Sequence, residues 1–231
     1  MITGASAGIG LATAQLFAKH GARVALASRS TDVLTRLAGE LPDSIAIPTD
    51  MRDAASIQHM VAAVHGHYGR IDLLVNNAGQ GMYAPAEQVD LEQNRQIMEL
   101  NVYGPLLAMQ AVIPIMRAQG GGMIVNISSN VSKMNIPGLA AYASTKYALN
   151  AITLTARAEL ANDNIRVSVM YPRLTATDFG KNAITSQGRR PGGPSGSLRA
   201  GMPTPDPVEK VAAKILEAVQ TEVAEQTMDG A

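Results

Sequence analysis

Cysteine is absent from the 231-residue chain, and with it go disulfides, thiol nucleophiles and zinc sites built on thiolates. Charge is scarce: Asp, Glu, Lys and Arg make up 16% of the residues, and 19 basic side chains cancel 19 acidic ones. So balanced a chain carries no electrostatic footprint for nucleic acid or an anionic membrane, and neither is expected as a partner. The low charge also fits a surface partly covered in a homodimer or homotetramer. No uninterrupted apolar run reaches the ~20 residues of a membrane-spanning helix. No basic segment leads into an apolar one near Met1 either, so the expected location is the cytoplasm.

What is present suffices for one α/β domain over 1–231, since 46% of the residues are hydrophobic. Short runs rich in Val, Ile and Leu fall at 23–27, 44–47, 71–75, 123–127 and 165–170. Helical-period segments lie between them at 9–20, 31–41, 54–68, 91–119 and 142–161. This alternation predicts a Rossmann-like, doubly wound fold, a mostly parallel sheet covered by helices on both faces. Thr31 and Asp32 are expected to cap the second helix, and Pro105 and Pro114 to bend the fourth. Residues 180–205 are rich in Gly, Pro and Ser and predict a mobile substrate loop without regular structure. An amphipathic helix over 208–219, begun by Pro207, and a weak strand within 222–228 complete the pattern. The first strand is anomalous. Only Met1 and Ile2 precede a glycine loop, where a central strand has ~5 residues; the strand is either a stub or continued upstream.

That loop, Thr3-Gly4-Ala5-Ser6-Ala7-Gly8-Ile9-Gly10, opens a helix directly after an apolar start. Its glycines allow backbone amides to approach a pyrophosphate, which the helix N-terminus stabilises. About twenty residues on, Ser28-Arg29 ends the second strand, and the acid that would hold the ribose 2′-hydroxyl of NAD is missing. Arg29 is placed instead to pair with the 2′-phosphate of NADP, so NADP(H) is expected over NAD(H).

Tyr142 and Lys146 stand four apart on a predicted helix and share one face. A lysine ammonium beside a phenol, together with an oxidised nicotinamide, favours the phenolate and draws the phenol towards proton relay near neutrality. The strand over 123–127 ends in Ser128-Ser129, and carboxyl ends of parallel strands are where such sheets place their chemistry.

With these pieces in order, the chain resembles the short-chain dehydrogenase/reductase family, in its Thr-Gly-x-x-x-Gly-x-Gly subgroup. The matching residues are TGASAGIG at 3–10, Asp50, NNAG at 76–79, Asn101, ISS at 127–129, YASTK at 142–146 and YPRLTAT at 171–177. The resemblance covers roughly residues 1–180 plus the helix near 210–219, and implies seven strands. It assigns proton transfer to Tyr142, carbonyl polarisation to Ser129, and ribose binding with tuning of Tyr142 to Lys146. A water-holding role in a proton relay falls to Asn101. Cofactor contacts fall to Gly4, Ser6, Gly8, Ile9, Gly10, Ser28, Arg29, Asp50, Met51, Asn77, Ala78, Gly79, Tyr142, Lys146, Pro172, Thr175 and Thr177. The implied activity is reversible hydride transfer between nicotinamide and a secondary alcohol/carbonyl pair, with no metal. Two other readings remain open: an NAD-linked alcohol dehydrogenase of the same family, and a non-catalytic dinucleotide-binding regulator. Subunits of the family commonly pair through the helices expected at 91–119 and 142–161.

There are departures. Arg173 replaces the family's glycine after Pro172, putting a bulky side chain at the nicotinamide edge. Thr175 stands where Val or Ile is usual, and Ala7 where NADP-preferring members often carry a second basic residue. Met82, Tyr83, Met134, Ile136 and Phe179 suggest an apolar substrate pocket. His65 and His67 are two apart and do not share a helix face, so with His59 they predict no metal site. Arg189-Arg190 in the Gly/Pro loop reads as solvated, and the sequon at 126–128 lies on a buried strand.

Overall fold

The computed structural model describes residues 1–185 and 204–228. Its strands are β1 (Ile2–Thr3), β2 (Val24–Ser28), β3 (Ser44–Pro48), β4 (Leu73–Asn76), β5 (Met82–Tyr83), β6 (Gly122–Ile127), β7 (Ile165–Tyr171), β8 (Ile184–Thr185) and β9 (Glu225–Thr227). Its helices are α1 (Gly8–Lys19), α2 (Thr31–Glu40), α3 (Ala54–Tyr68), α4 (Leu91–Met98), α5 (Gly104–Ala118), α6 (Ala140–Glu159) and α7 (Val208–Thr221). Seven strands form one sheet in the order β3-β2-β1-β4-β6-β7-β9, and every pairing in it is parallel. The expected Rossmann-like architecture is therefore observed.

The side-chain alternation of a strand explains why both faces are covered. On β2, Val24 and Leu26 join a core with Ala14 and Phe17 of α1, Leu34 and Leu37 of α2, and Val211 and Ile215 of α7. Ala25 and Ala27 face the other way, into a core with Ile57 and Met60 of α3 and Ala108 and Val112 of α5. Ile124 and Val125 on β6 divide in the same manner. Removing one such fully buried side chain, for instance by Ile124→Ala, costs roughly 2–5 kcal/mol.

The two-residue β1 is paired on both sides. Thr3 and Ile2 pair with β2, and Met1 extends the ladder on the other side, its carbonyl accepting from the Val75 amide at 2.9 Å. A groove of about 330 Å³ beside Met1, Phe17 and Tyr68 lies at the amino ends of the strands. It is far from the carboxyl edge, where the sequence motifs meet. No helix among the described residues is long and apolar enough to cross a membrane.

Three local expectations are corrected. The stretch 91–119 is two helices, divided by a wide π turn over Glu99–Tyr103, while Pro114 lies inside α5. The ring of Pro105 would collide with the carbonyl four residues back, that of Asn101. The chain therefore widens before Pro105, and Pro114 does not divide the helix. Ser30, not Thr31 or Asp32, is the cap position of α2, and it makes no side-chain capping bond. Asp32 instead occupies the first turn, where its charge favours the helix dipole. Finally, Ile184–Thr185 is not irregular: it pairs in parallel with Met82–Tyr83. Residues 186–203, including Arg189 and Arg190, lie outside the described residues.

Candidate active site

The turn from β1 into α1 forms the first wall. Thr3 Oγ1 accepts hydrogen bonds from the amides of Asn77 and Ala78 at 3.0 and 3.1 Å. The Asn77 side-chain amide returns two bonds, to the carbonyls of Thr3 and Gly4. The motif after β4 thus clips the glycine loop in place. A Cβ at Gly10 would overlap the Gly4 carbonyl oxygen, so only glycine allows this close approach. Ala7, the cap residue of α1, offers no side-chain acceptor. The first-turn amides around Gly8, Ile9 and Gly10 therefore meet no capping side chain, and a phosphate fits there. Thr177 comes to the same place, its methyl 3.1 Å from where a Cβ of Gly8 would stand.

Along the edge from Ser28, Arg29 is exposed and makes no ion pair among the described residues. Asp50 is engaged: Arg52 donates to its two oxygens at 3.0 and 2.6 Å. These bonds hold the carboxyl below its usual range, with a smaller contribution from the charge of Arg29. Arg52 was not singled out in the sequence, although an arginine two residues after an acid on a turn can reach back to it. Met51, next to Asp50, is buried.

At the centre stand the residues predicted to do chemistry. Tyr142 and Lys146 share the buried face of α6, 8% and 4% exposed. Lys146 donates to the Ile127 carbonyl at 2.8 Å, and its Nζ lies 5.9 Å from the Tyr142 ring centre. Burial depresses the lysine to about 8. Burial also pushes the Tyr142 phenol above its ordinary value, and a hydrogen bond with the Ser129 hydroxyl opposes that shift. Ser129 is the second residue beyond β6 and caps the short turn Asn130–Lys133, its Oγ accepting from the Val131 amide at 3.3 Å. Gly79 closes the group, since a Cβ there would stand 3.3 Å from Asn101 Oδ1 and 3.7 Å from Lys146 Nζ.

Asn101 sits in the π turn, fully buried. Its side-chain amide donates to the Gln80 carbonyl and to Thr145 Oγ1, and its oxygen accepts from the Gln80 amide. Both side-chain donors are thereby taken. Pro105, four residues on, has no N–H to offer the Asn101 carbonyl.

The outer wall is apolar. Phe179 lies 5.6 Å from Tyr142 between ring centres and packs on Gly81. Tyr83, Met134 and Ile136 are 40–47% exposed. Met82 turns instead into a small core with Ala84, Ile97 and Ala141. The segment bearing Phe179 is tied down by Gln80, whose amide donates to the Asn182 carbonyl at 2.8 Å. Arg173 points to Asp206, at 3.2 and 3.4 Å, and Lys210 reaches the same carboxylate at 3.3 Å. Asp206 also bridges Thr175 through the backbone, so both the bulky side chain and the unusual threonine belong to one fastening. Pro172 joins it to the turn that Ser129 caps, its carbonyl accepting from the Asn130 amide. Nothing in the pattern around residue 206 signalled this.

A parallel sheet whose carboxyl edge joins an uncapped phosphate cradle to a buried hydroxyl-and-amine cluster has the architecture of a nucleotide-linked oxidoreductase. The comparisons with known proteins are specific. The family model described as short chain dehydrogenase matches residues 1–188. The Dehydrogenase/reductase SDR family protein 7-like of Drosophila melanogaster is 34% identical over 228 residues, 95% of this chain and 68% of that protein. The structure of 3-ketoacyl-(acyl-carrier-protein) reductase from Brucella melitensis complexed with NADH is similar with a TM-score of 0.87 at 28% identity, covering 99% of this chain and 95% of that one. An alcohol dehydrogenase from Thermococcus sibiricus complexed with 5-hydroxy-NADP gives 0.83 at 27% identity, over 98% and 92%. This chain belongs to the short-chain dehydrogenase/reductase family.

Proposed function

We propose that the chain is an NADP(H)-dependent oxidoreductase that interconverts a secondary alcohol and its carbonyl, with Tyr142 as the general acid and base. The observation that carries this reading is the Ser129–Tyr142–Lys146 group beside Gly79, with Tyr142 and Lys146 buried. A protein that only bound a dinucleotide has no use for an acid–base pair held out of water. Gly4, Gly8, Ile9 and Gly10 would hold the pyrophosphate, with Ser6 and Thr177 beside them. Ser28, Arg29, Asp50 and Met51 would hold the adenosine end, and Asn77–Gly79, Pro172 and Thr175 the nicotinamide end. When bound, the nicotinamide supplies or accepts the hydride.

The residues do the rest. In reduction the Tyr142 hydroxyl gives its proton to the carbonyl oxygen, and the Ser129 hydroxyl donates a hydrogen bond to the same oxygen as charge develops. A buried phenol stays protonated, as the acid of the reduction direction must be. In oxidation the phenolate is required. Lys146, as ammonium, and the positive charge of the oxidised ring then favour it. Asn101 would place a water from which Lys146 recovers a proton. The exposed Tyr83, Met134 and Ile136, with Phe179, favour an apolar carbonyl substrate.

Two experiments test the reading. Oxidation of NADPH, and separately of NADH, is followed with a panel of aldehydes, ketones and diketones. Turnover preferring NADPH is expected, and an NADH preference would replace the cofactor assignment. For Arg29→Ala, the expected result is an NADPH affinity about tenfold weaker (about 1.4 kcal/mol) with NADH binding unchanged. Equal loss for both removes the phosphate role from Arg29. As for assembly, Tyr103, Tyr147 and Leu154 expose large apolar surfaces on the α5–α6 side. A second copy of the chain packing there is the arrangement we favour. Light scattering on a Tyr147→Asp/Leu154→Asp variant is expected to read a smaller particle than wild type.

A further inference from the structure

Ser132 and Asn150 have no part in the roles assigned so far, yet together they form a chain of hydrogen bonds that ends on the catalytic serine. Ser132 is 3% exposed. Its hydroxyl donates to the Ser129 carbonyl at 2.7 Å, and its backbone amide donates to the same oxygen at 3.0 Å. A serine hydroxyl has one proton. With that proton on the Ser129 carbonyl, Ser132 Oγ accepts from its other neighbours. The nearer is the side-chain amide of Asn150 on α6, whose Nδ2 donates at 2.9 Å, and the Ser128 hydroxyl lies at 3.5 Å. The short bond to Ser129 and the bond from Asn150 are mutually consistent in this direction. Asn150 Oδ1, in turn, is buried without a partner among the described residues. A buried oxygen left unpaired is unfavourable, so what this asparagine contributes is its bond to Ser132.

We infer that Ser132 and Asn150 are positioning residues that buckle the turn after β6 to α6 and thereby aim the Ser129 hydroxyl at the substrate oxygen and Tyr142. This rests on the reaction proposed above. Three consequences of the geometry support it. Ser129 is in extended conformation and its carbonyl carries two bonds from Ser132, so the peptide plane after Ser129 cannot rotate freely. Its Oγ is meanwhile tethered by the Val131 amide from the same turn. And α6 is the helix that bears Tyr142 and Lys146, so Asn150 fixes the turn to the element its serine must serve. The backbone bond from Ser132 survives substitution. Only the hydroxyl and the amide distinguish this buckle from an ordinary tight turn.

The test uses Ser132→Ala and Asn150→Ala, alone and in a Ser129→Ala background, with NADPH and the best carbonyl substrate of the wild type. Each single variant is expected to lose kcat by about tenfold while KM for NADPH and the melting temperature stay near wild type. In the Ser129→Ala background neither is expected to reduce kcat further, because the buckle acts only through that hydroxyl. A second readout comes from alcohol oxidation. The Ser129 hydroxyl favours the Tyr142 phenolate, so loosening it should move the ascending limb of the pH–rate profile upward by roughly half a pH unit or more. The other titratable groups facing Tyr142, Lys146 and Tyr83, are untouched by either substitution. Unchanged kcat, additive loss in the Ser129→Ala background, or a matching fall in cofactor affinity and melting temperature would each overturn the proposal. A crystal structure of Asn150→Ala, a partly exposed position, reads the same point without turnover. The Ser129 hydroxyl should leave Tyr142, and an unmoved hydroxyl rejects the buckle. Absence of any wild-type activity would instead sink the proposed reaction.

Discussion

Tyr142→Phe is expected to lower kcat for carbonyl reduction about a thousandfold, or ~4 kcal/mol of transition-state stabilisation. The substitution removes one oxygen and keeps the ring that packs 5.6 Å from Phe179, so folding and NADPH binding should survive. Loss confined to turnover is what separates a proton donor from a structural tyrosine. The measurement is single-turnover reduction at saturating NADPH, with cofactor affinity measured by fluorescence on the same sample. Should the variant retain more than a tenth of the wild-type rate, Tyr142 is not the general acid.

Gly104→Ala is expected to be strongly destabilising. Gly104 opens α5 directly after the π turn that holds Asn101. A Cβ there would overlap the backbone carbonyl of Met51 and stand 3.3 Å from that of Glu99. Ordinarily alanine in a helix is favoured over glycine by ~1 kcal/mol. Here the obstacle is main chain, which no side-chain rotation can relieve, and overpacking of this kind costs about 3 kcal/mol. For a domain of this size the melting temperature should fall by roughly 6–12 °C. The same displacement reaches Asp50, next to Met51, so cofactor affinity should weaken with it. A rise in melting temperature would show that helix propensity outweighs the contact.

The sheet was legible because strands buried on both faces read as short apolar runs, and because β2 alternates Val24 and Leu26 against Ala25 and Ala27. Tyr142 and Lys146 were legible because their four-residue spacing is fixed by the helix itself. What escaped has two causes. Asp206 and Asn150 act through Arg173 and Ser132, brought to them by tertiary approach, and nothing in their local pattern marks them. Arg52 and Ser132 reach back to Asp50 and Ser129 nearby, but only a particular turn geometry makes such short spacings meet. β8 is two residues long and pairs with an equally short β5, too little for any period to show. The division of 91–119 arises from one missing N–H and one crowded carbonyl at Pro105, which shifts the irregularity upstream of the proline. Ser30 displaced Thr31 as the cap position of α2 because all three neighbouring residues are acceptable caps and the choice depends on where β2 ends.

The fastening of Arg173 and Lys210 to Asp206 bears on how this protein can be altered. Thr177 lies against Gly8, and Asp206 is bonded to Leu174 and Ala176. The stretch between them therefore begins and ends at fixed points. For a chain tethered at both ends, doubling its length adds only ~0.6 kcal/mol of closure entropy. Changes of length beyond Thr185 are therefore expected to cost little closure entropy, while Phe179, packed against Tyr142, and Ile184–Thr185, paired with Met82–Tyr83, have to be kept. On the proposed function, substrate range and cofactor binding are expected to be separable, and a graft that keeps residues 177–185 and 206 is the way to test it.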